Sequence, residues 1–191
     1  MSAHAIPRIT PEQYLAIERA AEIKSEYYDG QMFAMSGGTA PHSFIAANLI
    51  FALGTALRGR NCRVSTSDLR VRVSSAGPFV YPDAAVVCGQ LLLSDDYKDT
   101  MLNPAVVFEV LSKSSEAYDR GFKFAQYRTI ESLREYVLVS QTEPRLEAFL
   151  RQSDGSWNLR EFVGMDAVCH LAGIDCNIAL ADVYEGVTLE P

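Results

Sequence analysis

The sequence predicts a mixed α/β (α+β) fold: a central mixed sheet flanked by helices, with an N-terminal helix and hairpin. Three observations carry that prediction. Two helical patterns come first, near-continuous apolar runs ("VYPDAAVV", "PAVVFEVLS") occupy the middle, and alternating strands separated by turn residues follow. Runs of that apolar kind belong to strands covered on both faces. No repeat, low-complexity tract or linker interrupts the 191 residues, so residues 1–191 read as one domain, long enough to bury a substantial core.

Each element has a local reason. In "TPEQYLAIERAAEI", Thr10 can cap a first helix, Pro11 suits its first position, and Tyr14, Leu15, Ala16 and Ile23 supply apolar faces. "SEYYDGQMFAMSGG" places two β-prone runs around Asp29-Gly30, a hairpin signal, and Gly37-Gly38 ends it. "APHSFIAANLIFALGTALRGR" is a second helix with apolar residues at 45, 49, 53 and 57, expected to be substantially buried. "CRVSTSDLRVRVS" alternates as one half-exposed strand, with Leu69, Val71 and Val73 on one face. "AYDRGFKFAQYRTI" is a helix capped by Ser114 or Ser115. "REYVLVS", "RLEAFLRQ" and "WNLREFVG" are strands, and "NIALADVYEG" closes with a short helix.

Composition narrows the function classes. The apolar stretch "FIAANLIFALGTAL" falls short of the roughly 20 residues that span a bilayer. "MSAHAIPRIT" shows no charged start followed by an apolar run, so no secretory signal is read, and a cytoplasmic location is expected. Cys62, Cys88, Cys169 and Cys176 then read as buried small hydrophobes rather than disulfide or zinc partners, since "CHLAGIDC" fits no recurring zinc spacing. A net charge of −7 argues against broad coating of nucleic acid, while leaving room for a locally basic or metal-filled cleft.

Asp83 and Glu109 stand out because each interrupts an apolar strand, where an unpaired charge would cost several kcal/mol. Taken singly, each fits an acid at a strand end, facing solvent or bonded to backbone. Taken together on adjacent strands, they would repel unless a cation sat between them. Mg²⁺ (or Mn²⁺) would accept both carboxylates and the Val110 carbonyl as an incomplete shell, leaving positions for water and a phosphate oxygen. On the following helix Asp119, Lys123 and Tyr127 recur at i, i+4 and i+8. That stripe reads either as a surface ion pair with Tyr127 over the core, or as Lys123 reaching the end of the Glu109 strand.

"YPDAAVV" and "VVFEVLSKSSEAYDRGFKFAQYRTIESLREYVLV", with "SEYYDGQMFAMSGGTAPHSFIAANL" upstream, resemble the Uma-two family of restriction-endonuclease-like proteins, a bacterial branch of the PD-(D/E)xK nuclease superfamily. The likeness runs from about residue 10 to 185. It implies a restriction-endonuclease-like core with a mixed, mainly four-stranded sheet. It also implies a metal-dependent phosphodiesterase site carried by Asp83 and Glu109. The superfamily lysine is replaced by Leu111, and the resemblance assigns its role to Lys123. Glu26 matches an acidic position able to add a metal or water contact, and equally reads as a solvent-facing hairpin acid. His42 matches a recurrent histidine, though a histidine at a helix start is more often a local hydrogen-bonding residue. Asp119 is expected to orient Lys123.

The leading expectation is a Mg²⁺-dependent DNA endonuclease, with Asp83 and Glu109 as ligands and Lys123 positioning the nucleophile. Arg58, Arg60, Arg63, Arg70 and Arg72 are the densest basic cluster for DNA. A homodimer would let two sites address two strands. The alternative is a nuclease-fold module that binds nucleic acid or protein without efficient cleavage. A metal-free hydrolase using two carboxylates is weaker, since Trp157 is the single tryptophan available as a sugar platform.

Overall fold

The computed structural model describes residues 8–189; residues 1–7 of the stretch read for a secretory signal lie outside them. Helix α1 (Pro11–Ala20) starts at a capping box: Thr10 Oγ1 accepts from the Gln13 N–H at 3.2 Å, and Gln13 Oε1 accepts from the Thr10 N–H at 2.8 Å. Strands β1 (Ser25–Tyr28) and β2 (Gln31–Ala34) pair around Asp29-Gly30, whose φ values of 47° and 80° are those a two-residue hairpin turn requires. Helix α2 (Ala40–Ala56) buries Ile45, Leu49 and Leu53, with Leu57 just beyond its end. Its far side is not covered, and Phe44 and Phe51 stay exposed there.

The single alternating strand expected over "CRVSTSDLRVRVS" is two strands in two different sheets. β3 (Cys62–Thr66) ends where the Asp68 N–H donates to Thr66 Oγ1 and the Leu69 N–H to the Thr66 carbonyl, and β4 (Arg70–Arg72) follows. The Thr66 hydroxyl bonds the backbone two residues on and turns the chain, overriding the alternation. A comparable break follows β5 (Phe79–Val80): at Tyr81-Pro82-Asp83 the chain leaves one sheet, and β6 (Ala84–Cys88) enters the other. Pro82, lacking an N–H, suits the gap.

The remaining elements are β7 (Thr100–Met101), β8 (Val106–Val110), a helical run, β9 (Glu135–Val139), β10 (Arg145–Arg151) and β11 (Trp157–Val163). A hairpin, β12 (Val168–Leu171) and β13 (Cys176–Ala179), then leads into a short helix, Leu180–Val183. The helical run is α3 (Glu116–Tyr118), a π-helical turn (Asp119–Lys123) and α4 (Phe124–Tyr127); the Leu180–Val183 helix is α5. Ser115 takes the N-cap position without a side-chain cap bond; its hydroxyl lies 2.9 Å from that of Ser112 instead. "CHLAGIDC" is the β12–β13 hairpin, with Cys169 and Cys176 buried and free as expected. Cys62 and Cys88 depart from expectation: facing each other in the β3–β6 ladder, they are joined by a disulfide.

The main sheet runs β11-β10-β9-β8-β6-β3, in which β8–β9 is the parallel pair, so a core expected to be mainly four-stranded extends to six. A second sheet runs β2-β1-β5-β4-β7. As expected of continuous apolar runs, the central strands are buried on both faces. Val106, Phe108 and Val137 face α2, α5 and the β12–β13 hairpin, while Val107, Tyr136 and Leu138 face α4 and the second sheet.

Asp99 joins two distant elements, taking Arg19 Nε at 2.8 Å and also pairing with Arg70. The Arg19 bonds foremost, with Thr100 and Arg70 helping against burial, hold its carboxyl down to about 2. A depressed folded-state pKa contributes stability that is present above the unfolded value of about 3.9 and is lost as pH falls toward the folded value. Asp99→Asn should therefore flatten the decline in Tm between about pH 4.5 and pH 2. An acid limb as steep as that of the unaltered chain would refute this role.

Candidate active site

Glu109 leaves β8 on the face covered by the helical run, and Lys123 lies over it with Nζ 3.1 Å from Glu109 Oε1. The same ammonium is 3.1 Å from Glu26 Oε1 on β1 and 3.6 Å from Asp119 Oδ1. The Tyr127 hydroxyl donates to Glu109 Oε1 at 3.1 Å. Lys123 is 6% exposed, and Glu26, Glu109 and Asp119 are buried as well, so the surface Asp119–Lys123 pair weighed from the sequence is ruled out. Three carboxylates converge on one ammonium.

The π-helical turn helps to build this arrangement. The Phe124 N–H reaches back to the Asp119 carbonyl, one residue further than an α-turn allows, and the Tyr136 hydroxyl donates to that carbonyl at 3.0 Å. Asp119 and Lys123 thereby both point inward from the wide turn. Tyr136 was not among the sequence candidates, because in "REYVLVS" it reads as an ordinary core aromatic. Gly121, in the middle of a helical pattern, was the available sign of an irregular turn.

Asp83 sits at the break between the sheets. Beyond the Ala84–Phe108 pairing, β6 no longer bonds β8, and Asp83 Oδ2 accepts the Val110 N–H at 2.7 Å in place of a ladder partner. His42 Nε2 lies 3.4 Å from the same oxygen. The His42 ring needs Gly38 beside it, since a Cβ there would stand 2.8 Å from Nδ1. Glu26 completes the junction, with Oε1 accepting the Tyr81 N–H at 3.1 Å. All the candidates thus gather at one end of β6 and β8: Asp83, His42 and the Val110 peptide at the sheet's opening, and Glu26, Glu109, Asp119, Lys123 and Tyr127 beside it.

Electrostatics follow from the burial. Desolvation raises the Glu109 carboxyl well above the usual range, Lys123 opposes this, and Asp119, Asp83 and Glu26 add to it by repulsion. Desolvation likewise raises Asp119. Burial alone would lower Lys123, but Glu109, Glu26 and Asp119 outweigh it and hold the ammonium charged. The hydrogen bond to Asp83 raises His42, partly opposed by burial. The cluster is short of positive charge.

Two of the five arginines expected to form a basic cleft, Arg60 and Arg70, are engaged elsewhere. Arg70 is buried, with Nη1 donating to the Tyr81 hydroxyl at 2.9 Å and Nε to Thr100 Oγ1 at 3.2 Å. Arg60 binds the carbonyls of Ile174 and Asp175. Sequence proximity placed them together, but Arg60 lies in the turn before β3 and Arg70 in β4 of the second sheet, so they meet different partners.

Residues 11–181 match the model of the Uma2 family, described as "Putative restriction endonuclease". An uncharacterized protein of Synechocystis sp. is 35% identical over 193 residues, covering 98% of this chain and 99% of that one. A second from the same organism is 32% identical, covering 83% and 90%. The fold is similar, with a TM-score of 0.75 at 16% identity, to the crystal structure of "a putative nuclease belonging to DUF820" from Anabaena variabilis, over 94% of this chain and 99% of that one.

Removing the Lys123 ammonium should strand the surrounding acids. Lys123→Met is expected to cost about 3–5 kcal/mol in urea unfolding near neutral pH, because the carboxylates lose their partner while still buried. Adding Glu109→Gln should recover part of that loss. A Lys123→Met cost below about 1 kcal/mol would show that the acids are relieved by protons or water instead.

Proposed function

The chain belongs to the Uma2 family, and from that premise we propose that it is a divalent-metal-dependent DNA endonuclease, hydrolysing phosphodiester bonds at the β6–β8 end of the sheet. One observation carries this reading above the others: Glu26, Asp83, Glu109 and Asp119 gather at a single sheet end where the Lys123 ammonium faces three of them and His42 lies beside Asp83. A divalent cation would relieve that excess. The donor set suits Mg²⁺ or Mn²⁺, since the Asp83 and Glu109 carboxylates and the Val110 carbonyl are hard oxygens. Among the described residues no group of three His, Cys, Asp or Glu side chains is arranged to hold a metal, so the proposed site rests on two carboxylates and one backbone carbonyl.

Asp83, Glu109 and Val110 would hold the metal, which when bound supplies a lowered pKa for a water and neutralisation of phosphate charge. The protein's own groups divide the remaining work. Lys123, kept charged by its carboxylates, acts as a hydrogen-bond donor to a water or a phosphoryl oxygen, not as a base. Tyr127 and Asp119 hold Glu109 and Lys123 in place. His42 and the Val110 N–H orient Asp83. A DNA substrate, a cytoplasmic location and a homodimer that addresses both strands belong to the same proposal.

A second reading, a nuclease-fold module that binds nucleic acid or protein without cutting it, is favoured by Lys123 being already engaged by Glu26 and Glu109 at 3.1 Å each. Supercoiled plasmid and single-stranded DNA incubated with Mg²⁺ or Mn²⁺ separate the two. The endonuclease reading expects metal-dependent nicking that falls by roughly 10²-fold or more in Asp83→Asn and Glu109→Gln. Nicking that survives Asp83→Asn would sink the proposed site, whereas intact metal binding with no nicking by the natural chain would establish the module. Loss in Asp83→Asn with full activity in Lys123→Ala would keep the metal site and reject the lysine's role.

A further inference from the structure

A second cleft, of about 420 Å³, opens at the other end of β8, where Ala105 precedes the strand. Its wall holds Arg60, Arg134, Asp175 and the Cys62–Cys88 disulfide. The Gly89 N–H bonds the Asn61 carbonyl at 2.7 Å, which makes Cys62 and Cys88 a narrow, non-hydrogen-bonded pair of the antiparallel ladder, with Cα atoms 4.0 Å apart. Both cysteines are half-buried, and β3 is the edge strand of the sheet. The disulfide thus forms part of the cleft wall while packing on its inner side against the core, and the two side chains face each other across the ladder.

The two arginines bring charge to the same wall. Arg60 donates to the Asp175 and Ile174 carbonyls at 2.6 and 2.5 Å, and Arg134 Nη1 to the Gly173 carbonyl at 3.2 Å. Carbonyls orient a guanidinium without neutralising it. Neither arginine is in an ion pair among the described residues. Asp175 supplies one opposing carboxylate in the wall, while the Glu135 carboxylate behind it accepts the Ala172 and Gly173 N–H groups at 3.1 and 3.0 Å. Two oriented guanidinium groups in a cleft of small-molecule size suit a carboxylate.

We propose that this cleft takes a small thiol bearing a carboxylate and exchanges it with the Cys62–Cys88 disulfide. The incoming thiolate attacks one cysteine sulfur. A bond forms between the two sulfurs as the Cys62–Cys88 bond breaks, and its electron pair leaves on the other cysteine as a thiolate. A second small thiolate attacks the mixed disulfide, releasing the small molecule's own disulfide and leaving both cysteines reduced. Two small thiols lose two electrons, the cysteine pair gains them, and the two protons given up pass to the cysteine thiolates. This exchange is independent of the nuclease reading.

Glutathione and its diethyl ester, compared as rates per thiolate at low salt on the intact chain, test it. Intact-mass measurement should detect a mixed disulfide of one glutathione, formed roughly tenfold faster than the ester adduct, with the preference fading in high salt. Arg134→Gln, at an exposed position, should shrink the preference, and Arg134→Lys should retain most of it. Equal rates for the two thiols at low salt, or no adduct from the folded disulfide form, would overturn the proposal. The salt dependence is read on the unaltered protein, so a variant that fails to fold does not rescue the idea.

Discussion

A single ammonium buried among carboxylates is the constraint on which the rest of this structure turns. Lys123 touches Glu109 on β8, Glu26 on β1 and Asp119 on its own helical run, so one charge ties the run to the strand just before it and to a hairpin far upstream in sequence. None of these groups is cheap to bury alone, and each becomes tolerable through the others. The helical run must therefore lie with its polar stripe over the end of β8, and the hairpin must fold back far enough for Glu26 to arrive. The wide turn at Asp119–Lys123 and the Tyr136 hydroxyl on its carbonyl are how the backbone meets that demand.

The second organising feature is the crossing from β5 to β6. A regular ladder through Tyr81, Pro82 and Asp83 would have closed the space between β6 and β8. Instead the strands part, the Val110 N–H is left to the Asp83 carboxylate, and the Val110 peptide faces the opening. The hydrogen bond that stabilises the break is thus the one that places Asp83. Glu26 serves in the same double way, satisfying the Tyr81 N–H while contacting Lys123.

Carboxylates outnumber cations in this chain, 24 to 17. In a chain of net charge −7, Arg70 is buried with Asp99 and Tyr81, and Arg120 is taken up by Glu116 and Glu147. Attraction for a polyanion therefore has to be local and to depend strongly on what occupies the acidic site. At the far end of β8, Arg60 and Arg134 are oriented by carbonyls and keep their charge exposed to a cleft. The two ends of the central strand thus differ in electrostatic character: acids surrounding one lysine at one end, arginines beside a disulfide at the other.

Much of the fold is legible in short windows of sequence because it rests on contacts a few residues apart. The Thr10 cap, the Asp29-Gly30 turn, and the doubly covered runs around Val86 and Phe108 are local consequences of side-chain type, as is the polar stripe Asp119–Lys123–Tyr127. The same windows misread "CRVSTSDLRVRVS" as one strand, because a turn made by Thr66 and Asp68 competes with an alternation that fits equally well. They could not pair Cys62 with Cys88, 26 residues apart, because that pairing follows from the register of β3 on β6. By itself, then, the sequence determined the locally specified elements and the acidic and basic side chains available to a site. Only the tertiary structure decided that Lys123 is buried, that Asp83 holds a backbone N–H and that Arg60 and Arg70 meet different partners, because strand register and the parting of β6 from β8 depend on contacts between segments remote along the chain.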